Sequence, residues 1–522
     1  MTIDVKALLA GLPARIDAIP RTVASRTPDA PALIDDGRTI SYRQLVEAID
    51  RQAAQLAELG VRRGDRVLLV SENCAAQVTL MFAAATLDAW IVNVNARLSA
   101  PELDAIRVHS GARIAAYTAA VSPEARAHAE RDNREAGARA YGDLMIGPLN
   151  DNCAPEPQAS EPVAALVYTT GTTGQPKGVM LSHRNLLFVA AVSSRLRGLA
   201  PQDRAWGVLP ISHVYGLTSV MLGTLSAGAC LQLAPRFTPD GMLAAIRDEG
   251  LTIVQGVPAM YARLLEKLDD NAGDSGRPLA SRLRFAYAGG SPLDPDLKRR
   301  VESALGVPLH NGYGLTEAAP TVSQTRLDAP RADTSVGTAI PGVELRIVGK
   351  DGLALASGEA GELWVRGPNV MQGYYRAPEQ TVEAIKPGGW LNTGDMAIQD
   401  PDGALFIVGR TKELIIRSGF NVFPLEVETV LNAHPAVTQS AVVGRLLADG
   451  NEEVVAFVQP APRARPGTHE GAQLSADALR AWAAERLAPY KRPSRIVLMA
   501  ALPAASTGKV LKHVLKTMAA GA

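Results

Sequence analysis

Residues 168–178 read Tyr-Thr-Thr-Gly-Thr-Thr-Gly-Gln-Pro-Lys-Gly, and the interpretation of the whole chain starts from this stretch. It follows the apolar run 163–167, which is typical of a buried strand, and it precedes Ser182, a predicted helix N-cap. Glycines let the backbone approach a ligand, while hydroxyls, a lysine and successive backbone N–H groups bind anionic oxygens. The stretch therefore predicts a polyphosphate-binding loop. The residues expected to contact the phosphates are Thr169, Thr170, Gly171, Thr172, Thr173, Gly174 and Lys177.

This loop differs from a Walker A loop, in which glycine, lysine and a hydroxyl residue are adjacent. Here Gln175 and Pro176 separate Gly174 from Lys177. The alternative interpretation is a polar surface turn, because turns rich in glycine and threonine are common. Phosphate binding is favoured because an unbroken Gly/Thr run with a nearby lysine is unusual, and because matching motifs occur further along the chain.

The composition is that of a globular protein of two or more domains, with 522 residues, 47% hydrophobic and 20% charged. Lys+Arg and Asp+Glu are 53 each, which predicts neither nucleic acid nor a membrane surface as a partner. Three scattered cysteines, Cys74, Cys153 and Cys230, predict a reducing, cytoplasmic location without disulfides or a zinc site. Residues 1–20 lack a signal-peptide pattern, and the uncharged stretch 205–235 is broken by polar residues and glycines, which favours a buried strand-helix-strand unit over a membrane span.

Strand-like and helical segments alternate over residues 66–117 and again over 163–309, which predicts parallel sheets covered by helices. From about residue 335, short strands bounded by glycine, aspartate and proline predict a β-barrel-like subdomain that ends at about 409. The pattern then alternates again, which predicts a small α+β domain. The predicted fold class is α/β, with an N-terminal domain over 1–409, made of two parallel α/β subdomains and the β-rich one, and a C-terminal domain over 410–522 joined by a hinge.

Further motifs follow predicted strands at 209–216 (LPISHVYG), 288–292 (AGGSP) and 311–317 (NGYGLTE). Ligands of a parallel sheet bind at the carboxyl ends of its strands, so these motifs are expected to meet at one edge. Paired glycines let a flat ring lie on the backbone. A single glutamate beside a hydroxyl is enough to hold Mg²⁺, because this ion also takes oxygens of a bound polyphosphate as ligands.

These motifs, together with those at 390–395, 409–413, 418–428 and 502–512, resemble in content and order the adenylate-forming enzymes. That superfamily includes acyl-CoA synthetases, adenylation domains of peptide synthetases and luciferases. The resemblance extends from about Ile40 to Lys512. It implies an acyl-CoA synthetase that joins a carboxylic acid to AMP with release of pyrophosphate and then transfers the acyl group to CoA. ATP, Mg²⁺ and CoA are the implied cofactors and partners, together with the small-molecule acid.

The resemblance also implies a role for individual residues. The catalytic residues would be Lys509, Thr316, Glu317 and His213, with Glu317 as the metal ligand. Besides the loop, the nucleotide would contact Gly289, Gly290, Ser291, Asn311, Gly312, Tyr313, Gly314, Asp395 and Arg410. Lys412 would be the hinge. The acyl pocket would be lined by Tyr215, Gly256, Gly289, Gly312, Ala319 and Pro320, and CoA would contact Gly419, Arg492 and Arg97.

The predicted pocket walls are apolar and mostly small, without arginine or lysine. They favour an uncharged acyl group, either aromatic or medium- to long-chain aliphatic, over a dicarboxylate. A ligase that loads a carrier-protein thiol is the first alternative, although the 421–428 motif resembles the CoA ligases and no fused carrier is expected after Lys509. A non-catalytic nucleotide-binding protein is the second, disfavoured because a degenerate site would have lost at least one functional residue. A monomer or a homodimer is expected.

Overall fold

The computed structural model of the protein describes most of the chain. The described residues are 3–136, 139–141, 144–157, 161–170, 176–270, 279, 281–417, 420–447, 451–461, 474–504 and 510–520. No helix within these ranges is long and apolar enough to cross a membrane.

The chain up to residue 339 contains the two large sheets, apart from one short strand, and their helices. In order, the elements are α1 Val5–Ala10, α2 Ala18–Ala24, β1 Pro31–Asp35, β2 Arg38–Ser41, α3 Tyr42–Glu58, β3 Arg66–Ser71, α4 Ala75–Thr86, β4 Trp90–Asn95, α5 Ala100–Ser110, β5 Ile114–Tyr117, α6 Pro123–Ala136, β6 Arg139–Tyr141, β7 Leu144–Ile146, β8 Val163–Thr170, β9 Pro176–Ser182, α7 His183–Leu196, β10 Arg204–Gly207, a π-helix Tyr215–Leu222, α8 Gly223–Ser226, β11 Cys230–Leu233, α9 Pro239–Arg247, β12 Ile253–Gly256, α10 Pro258–Asp270, β13 Phe285–Ala288, α11 Pro295–Leu305, β14 Leu309–Gly314, a 3₁₀ turn Thr316–Ala318, β15 Thr321–Gln324 and β16 Thr338–Ala339.

The β-rich region and the C-terminal elements complete the chain. They are β17 Glu344–Val348, β18 Gly361–Arg366, β19 Gly373–Tyr374, α12 Pro378–Ala384, β20 Ile385–Lys386, β21 Trp390–Gln399, β22 Leu405–Arg410, a 3₁₀ turn Thr411–Glu413, β23 Ile415–Arg417, β24 Phe420–Val422, α13 Pro424–Asn432, β25 Val437–Leu446, β26 Glu452–Pro460, α14 Ala476–Arg486, a 3₁₀ turn Pro489–Lys491, β27 Arg495–Leu498 and α15 Lys512–Ala520.

Two large sheets form the bulk of the N-terminal domain. One has the strand order β19-β9-β8-β4-β3-β5-β7-β6, and the other has the order β16-β15-β14-β13-β12-β10-β11-β1-β2. Their central pairs are parallel, as the sequence predicts, but pairs towards the edges, such as β8–β9 and β14–β15, are antiparallel. The reason is visible in the sequence for β8 and β9, because the five residues 171–175 between them are too few for the crossover that a parallel pair requires.

The β-rich region forms a five-stranded antiparallel sheet in which β17, β18 and β21 are neighbours and both β20 and β22 pair with β21. The smaller C-terminal domain contains the hairpin β23–β24 and the three-stranded sheet β25-β26-β27. Val427, Leu431 and Leu479 from its helices cover one face of that sheet, and they are completely buried. This α+β arrangement agrees with the fold class predicted from the sequence.

The start of α7 couples the signature hairpin to the core. Ser182 forms the N-cap, as the sequence predicts. Its hydroxyl accepts a hydrogen bond from the backbone N–H of Asn185, and the side-chain oxygen of Asn185 accepts one from the backbone N–H of Ser182. The next residue, His183, is 1% exposed, and its Nδ1 accepts a hydrogen bond from the backbone N–H of Ile16 at 3.3 Å. Burial lowers the pKa of His183 to about 4.

We expect His183 to make folding sensitive to mild acid. The unfolded chain binds a proton on this histidine below its ordinary pKa of about 6.5, whereas the folded protein binds it only near pH 4. The free energy of unfolding therefore decreases as the pH is lowered from about 6.5 towards 4. Between pH 7 and pH 5 this histidine should remove about 2 kcal/mol of unfolding free energy. Urea unfolding of His183→Gln at both pH values should show a correspondingly smaller pH effect. The exposed His513, changed to Gln, is the control, and equal pH effects in wild type and His183→Gln would contradict this prediction.

Candidate active site

The signature hairpin positions Lys177. On the β8–β9 ladder Lys177 lies opposite Thr169, and Pro176 lies opposite Thr170. The loop residues Gly171, Thr172, Thr173 and Gly174 lie outside the described residues. Lys177 is half-buried, and its Nζ lies 5.0 Å from the ring centroid of Tyr374, which is within cation–π range. The hairpin thus holds a positive charge at a fixed place beside the loop.

Tyr374 joins this lysine to Glu317. Its hydroxyl donates a hydrogen bond to Oε1 of Glu317 at 2.9 Å. Glu317 lies in the 3₁₀ turn after β14, and its carbonyl oxygen accepts a hydrogen bond from the backbone N–H of Met371 at 2.9 Å. Burial, and then the neighbouring Glu317 carboxylate, raise the pKa of Tyr374, so it remains a hydrogen-bond donor at neutral pH. A lysine and a carboxylate therefore lie on either side of one tyrosine.

A second group of contacts surrounds Asp395, which is 5% exposed. Its Oδ2 accepts a hydrogen bond from the Tyr313 hydroxyl at 2.5 Å, and its Oδ1 lies 3.2 Å from Nε of Arg410. The ladder of β21 and β22 sets this pair, because Asp395 and Arg410 are direct register partners. Burial, and then Asp395, raise the pKa of Tyr313. Tyr313 comes from β14, so three strands of two sheets meet at this carboxylate.

The two groups share one electrostatic environment. Burial alone would lower the pKa of Arg410, but the charges of Asp395, Glu413 and Glu317, together with Tyr313, raise it. Glu317 lies four residues after Tyr313, in the 3₁₀ turn that follows β14, which explains their proximity. The site therefore brings together two cations, two carboxylates and two tyrosines, namely Lys177, Arg410, Glu317, Asp395, Tyr313 and Tyr374. This arrangement suits a nucleotide with a polyphosphate chain.

The donor set also fits Mg²⁺. Within the part of the chain that is described, no three His, Cys, Asp or Glu residues cluster to hold a metal by themselves. Glu317 is half-buried and uses Oε1 to accept from Tyr374. A single carboxylate is compatible with Mg²⁺ when substrate phosphates supply the other ligands.

The predicted acyl pocket is represented by a group of aromatic and glycine residues. A Cβ atom on Gly289 would lie 3.4 Å from Cε1 of both Tyr215 and Tyr287, which is ordinary contact. A Cβ on Gly312 would instead lie 1.7 Å from the Tyr287 hydroxyl. Gly289 therefore borders space that a small side chain could enter, whereas Gly312 is packed directly against Tyr287. Tyr215 begins the π-helix and is 8% exposed.

The other predicted pocket and nucleotide residues differ in their exposure. Gly256, Ala319 and Pro320 are buried, while Gly290, Ser291 and Gly314 are exposed. Thr316 is 6% exposed at the start of the 3₁₀ turn.

Asn311 and His213 occupy places that their predicted roles do not fully explain. The Asn311 amide donates to the carbonyl oxygens of Thr334 and Ser335, at 3.0 and 3.2 Å, so it anchors a loop to β14. His213 is exposed, and its Nδ1 accepts a hydrogen bond from the backbone N–H of Tyr215 at 3.3 Å. His213 thus orients the start of the π-helix from the surface.

The predicted CoA residues are engaged in structural contacts. Arg492 donates to the carbonyl oxygens of Leu487 and Ala484, at 2.8 and 2.7 Å, and thereby caps the end of α14. Arg97 is exposed and pairs with the buried Glu72 at 3.6 Å. Gly419 and the predicted catalytic Lys509 lie outside the described residues.

The predicted hinge lies in a short 3₁₀ turn with several charged contacts. The carbonyl of Lys412 accepts a hydrogen bond from Nζ of Lys516 at 3.4 Å. Lys512 lies 2.8 Å from both Glu413, in the turn, and Glu428, in α13. Burial opposes the charge of Lys512, but these two carboxylates raise its pKa. Lys512 therefore ties the segment after Lys509 to the hinge.

Sequence reasoning missed Tyr374, which connects Lys177 with Glu317. Its signal was weak, because a Gly-Tyr-Tyr sequence at 373–375 resembles an ordinary strand segment. The antiparallel pairing of β19 with β9, which brings it to the hairpin, is a long-range contact that local pattern does not reveal.

Two family models match the chain. The model described as AMP-binding enzyme matches residues 20–375, and the model described as AMP-binding enzyme C-terminal domain matches residues 426–509. The chain belongs to the AMP-binding enzyme family. This membership confirms the resemblance and the fold class predicted from the sequence.

Individual members of the family are similar over nearly the whole chain. A feruloyl-CoA synthase from Amycolatopsis sp. is 36% identical over 498 residues, which cover 94% of this chain and 96% of the relative. A 4-coumarate–CoA ligase from Oryza sativa subsp. japonica is 33% identical, with coverage of 94% and 90%. The o-succinylbenzoate coenzyme A synthetase structure from Bacillus subtilis with ATP and a magnesium ion has a TM-score of 0.79, 29% identity and coverage of 95% and 99%.

These relatives are CoA ligases, and the predicted enzyme class, an AMP-forming carboxylate–CoA ligase, is confirmed. ATP, Mg²⁺ and CoA are the cofactors and substrates of this class. The roles of single residues remain predictions that the following experiments test.

The first experiment concerns the missed residue. Tyr374→Phe in this AMP-binding enzyme removes the hydroxyl that orients Glu317, so the Mg²⁺ concentration needed for half-maximal activity should rise about 3- to 10-fold. Tyr375→Phe is the matched control, because its hydroxyl donates to Glu156 instead. A Mg²⁺ titration of both variants measures the effect, and equal shifts would contradict a role of Tyr374 in holding Glu317.

The second experiment compares two glycines. Gly289→Leu should exclude ring-sized acids and spare acetate-sized acids, because the new side chain enters the space beside Tyr215. Gly312→Ala should reduce activity with every acid, because its Cβ forces Tyr287 to move. The ratio of kcat/KM for benzoate-sized and acetate-sized acids measures selectivity. A uniform loss in Gly289→Leu would place the pocket elsewhere.

Proposed function

We propose that this enzyme activates an aromatic carboxylic acid as an acyl-adenylate and then transfers the acyl group to CoA. The relatives named for feruloyl and 4-coumarate substrates support an aromatic acid. The rings of Tyr215 and Tyr287, which meet edge-to-face beside Gly289, support it as well, because they form an aromatic wall for a ring. The single observation that carries the proposal is the convergence of Lys177, Glu317, Asp395 and Arg410. Their neighbour Tyr313 follows Gly312, which packs against Tyr287 and so links this group to the aromatic residues.

In the first half-reaction the protein brings two anions together, the acid and the α-phosphate of ATP. Lys177 offsets negative charge on the phosphates, and the Asp395 carboxylate, held by Tyr313 and Arg410, binds the ribose hydroxyls. Bound Mg²⁺, held by Glu317, supplies further positive charge to the phosphates. Lys509 approaches the reacting oxygens. Positioning and charge compensation therefore account for most of the catalysis.

In the second half-reaction the C-terminal domain rotates about Lys412 and presents CoA to the adenylate. The position of Lys412, two residues after the nucleotide-binding Arg410, supports this role, since a small backbone change there reorients everything that follows. We propose domain limits of 1–409 and 410–522, with a β-rich subdomain over about 335–409. The cytoplasm is the proposed location, in keeping with three buried cysteines that form no disulfide.

A ligase that loads a carrier protein remains the alternative, because such an enzyme shares the first half-reaction. Free CoA is favoured since the relatives are CoA ligases over more than nine-tenths of this chain. Thioester formation with free CoA, followed by mass spectrometry, separates the two acceptors.

The half-reactions of a Lys509 variant test the mechanism. Lys509→Ala should lower acyl-adenylate formation, measured as pyrophosphate exchange into ATP, by about 100- to 1,000-fold, because it removes one transition-state charge contact. The same variant, given synthetic acyl-adenylate and CoA, should form thioester at a rate close to wild type. The exposed Lys350, changed to Ala, is the control for loss of a positive charge. Equal damage to both half-reactions would assign Lys509 a structural role.

A further inference from the structure

We propose that Arg197 and Gln255 form a subsite that binds an acceptor oxygen at the far end of the acid, away from the carboxylate that reacts. This inference rests on the proposed function and narrows its substrate class. It replaces the expectation, drawn from the sequence, of a pocket without a basic residue.

Arg197 is a buried cation that has no carboxylate partner within the described part of the chain. It follows α7 directly and is 1% exposed. Its guanidinium carbon lies 4.4 Å from the ring centroid of Tyr287, and Nη1 donates to Oε1 of Gln255 at 2.6 Å and to the Ser219 carbonyl at 3.2 Å. Among the described residues no carboxylate lies within salt-bridge distance of it. A buried charge without such compensation is costly.

The same chain shows what a purely structural buried arginine looks like. Arg66 is also 1% exposed, but its guanidinium donates to four carbonyl oxygens and lies 4.0 Å from the Glu156 carboxylate. Arg197 makes two such bonds, both through Nη1, and its side chain also interacts with Tyr287. Its buried Nε has no partner in the part of the chain that is described. Folding alone therefore leaves Arg197 with unused hydrogen-bonding capacity.

Other unpaired polar atoms lie around this arginine. Gln255 is 1% exposed, and its Nε2 lacks an acceptor among the described residues, although Oε1 is bonded to Arg197. The hydroxyl of the buried Tyr215, which is close enough to Arg197 to feel its charge, also lacks a partner there. Buried polar atoms in proteins are nearly always hydrogen-bonded, so several unpaired ones in one region indicate a missing ligand. Two of them, on Arg197 and Gln255, are donors, so the ligand must supply an acceptor.

The place of this cluster follows from the sheet. Gln255 and Tyr287 are register partners on β12 and β13, so their side chains project from the same face. Tyr287 contacts Tyr215 at 6.3 Å between ring centroids, and its hydroxyl abuts Gly312, one residue before the nucleotide-binding Tyr313. The order from the nucleotide outwards is therefore Tyr313, Gly312, Tyr287 and Arg197. An acid that lies along Tyr287 from the nucleotide side reaches the guanidinium with its distal end.

The substrate class that fits is an aromatic acid with a distal hydroxyl, carbonyl or second carboxylate. Each presents an oxygen acceptor to two buried donors, and a carboxylate would also neutralise Arg197. A site built for a hydrogen bond rejects an analogue that lacks it much more strongly than an apolar site rejects an extra atom, because its donors are left unpaired.

The test begins with the wild-type enzyme. Pyrophosphate exchange is measured with benzoate, phenylacetate and cinnamate series, each carrying a 4-methyl, 4-hydroxy or 4-carboxy group. Within an accepted series we expect kcat/KM to be about 100-fold higher for an oxygen substituent than for the methyl isostere. A preference for 4-carboxy identifies an anionic partner, and a preference for 4-hydroxy identifies a neutral one. A difference below tenfold in every accepted series overturns the subsite, whereas absence of exchange with any acid overturns the proposed function itself.

Variants then assign the preference to residues. Arg197→Met should lower kcat/KM for the oxygenated acids about 30-fold or more and leave the methyl acid within about threefold. Gln255→Met should change the same ratio in the same direction. If Arg197 had only a structural role, Arg197→Met would lower kcat/KM equally for all acids, and that result would refute the proposal. If Arg197→Met does not fold, Gln255→Met and the wild-type ratio decide the question.

Discussion

The proposed nucleotide site of this enzyme depends on one buried carboxylate. Asp395 is stable in the protein interior because Tyr313 donates to one of its oxygens and Arg410 pairs with the other. Those partners come from different parts of the fold, the second large sheet and the last strand of the β-rich sheet. Arg410 is also the residue before the 3₁₀ turn of the hinge. The requirement to pair one charge therefore joins two sheets next to the proposed hinge.

The phosphate side depends on a second constraint, the short connection between β8 and β9. Five residues can link an antiparallel pair but not a parallel one, so the chain must return along the strand it has just left. That return places Lys177 opposite Thr169. It also leaves the other edge of β9 available for pairing with β19. Tyr374 arrives with β19 and meets both Lys177 and Glu317. A local rule about loop length thus determines which distant segment completes the site.

Features with local signals were predicted from the sequence. The α/β fold class, the Ser182 N-cap and the charged residues Lys177, Glu317, Asp395 and Arg410 all belong to contiguous motifs whose residue types are tied to a chemistry. Tyr374, Tyr287 and Arg197 were not predicted, because their importance comes from register and packing between segments far apart in the chain. A lone arginine directly after a helix is usually explained by the favourable interaction of its charge with the C-terminal end of the helix dipole. What distinguishes Arg197 from that common case is its burial and the lack of a carboxylate partner among the residues that the structure describes.

The state of these groups in the absence of substrate has an energetic consequence. A protein that keeps a guanidinium and an amide buried with unused donors is less stable than one that replaces them with apolar side chains of similar volume. Such a cost persists where function depends on the strained or unsatisfied group. The cost also supplies selectivity, since an acid that brings the missing acceptor recovers interaction energy that an apolar acid cannot. The unpaired donors around Arg197 and the satisfied donors around Arg66 thus represent two uses of the same residue type, recognition in one case and structure in the other.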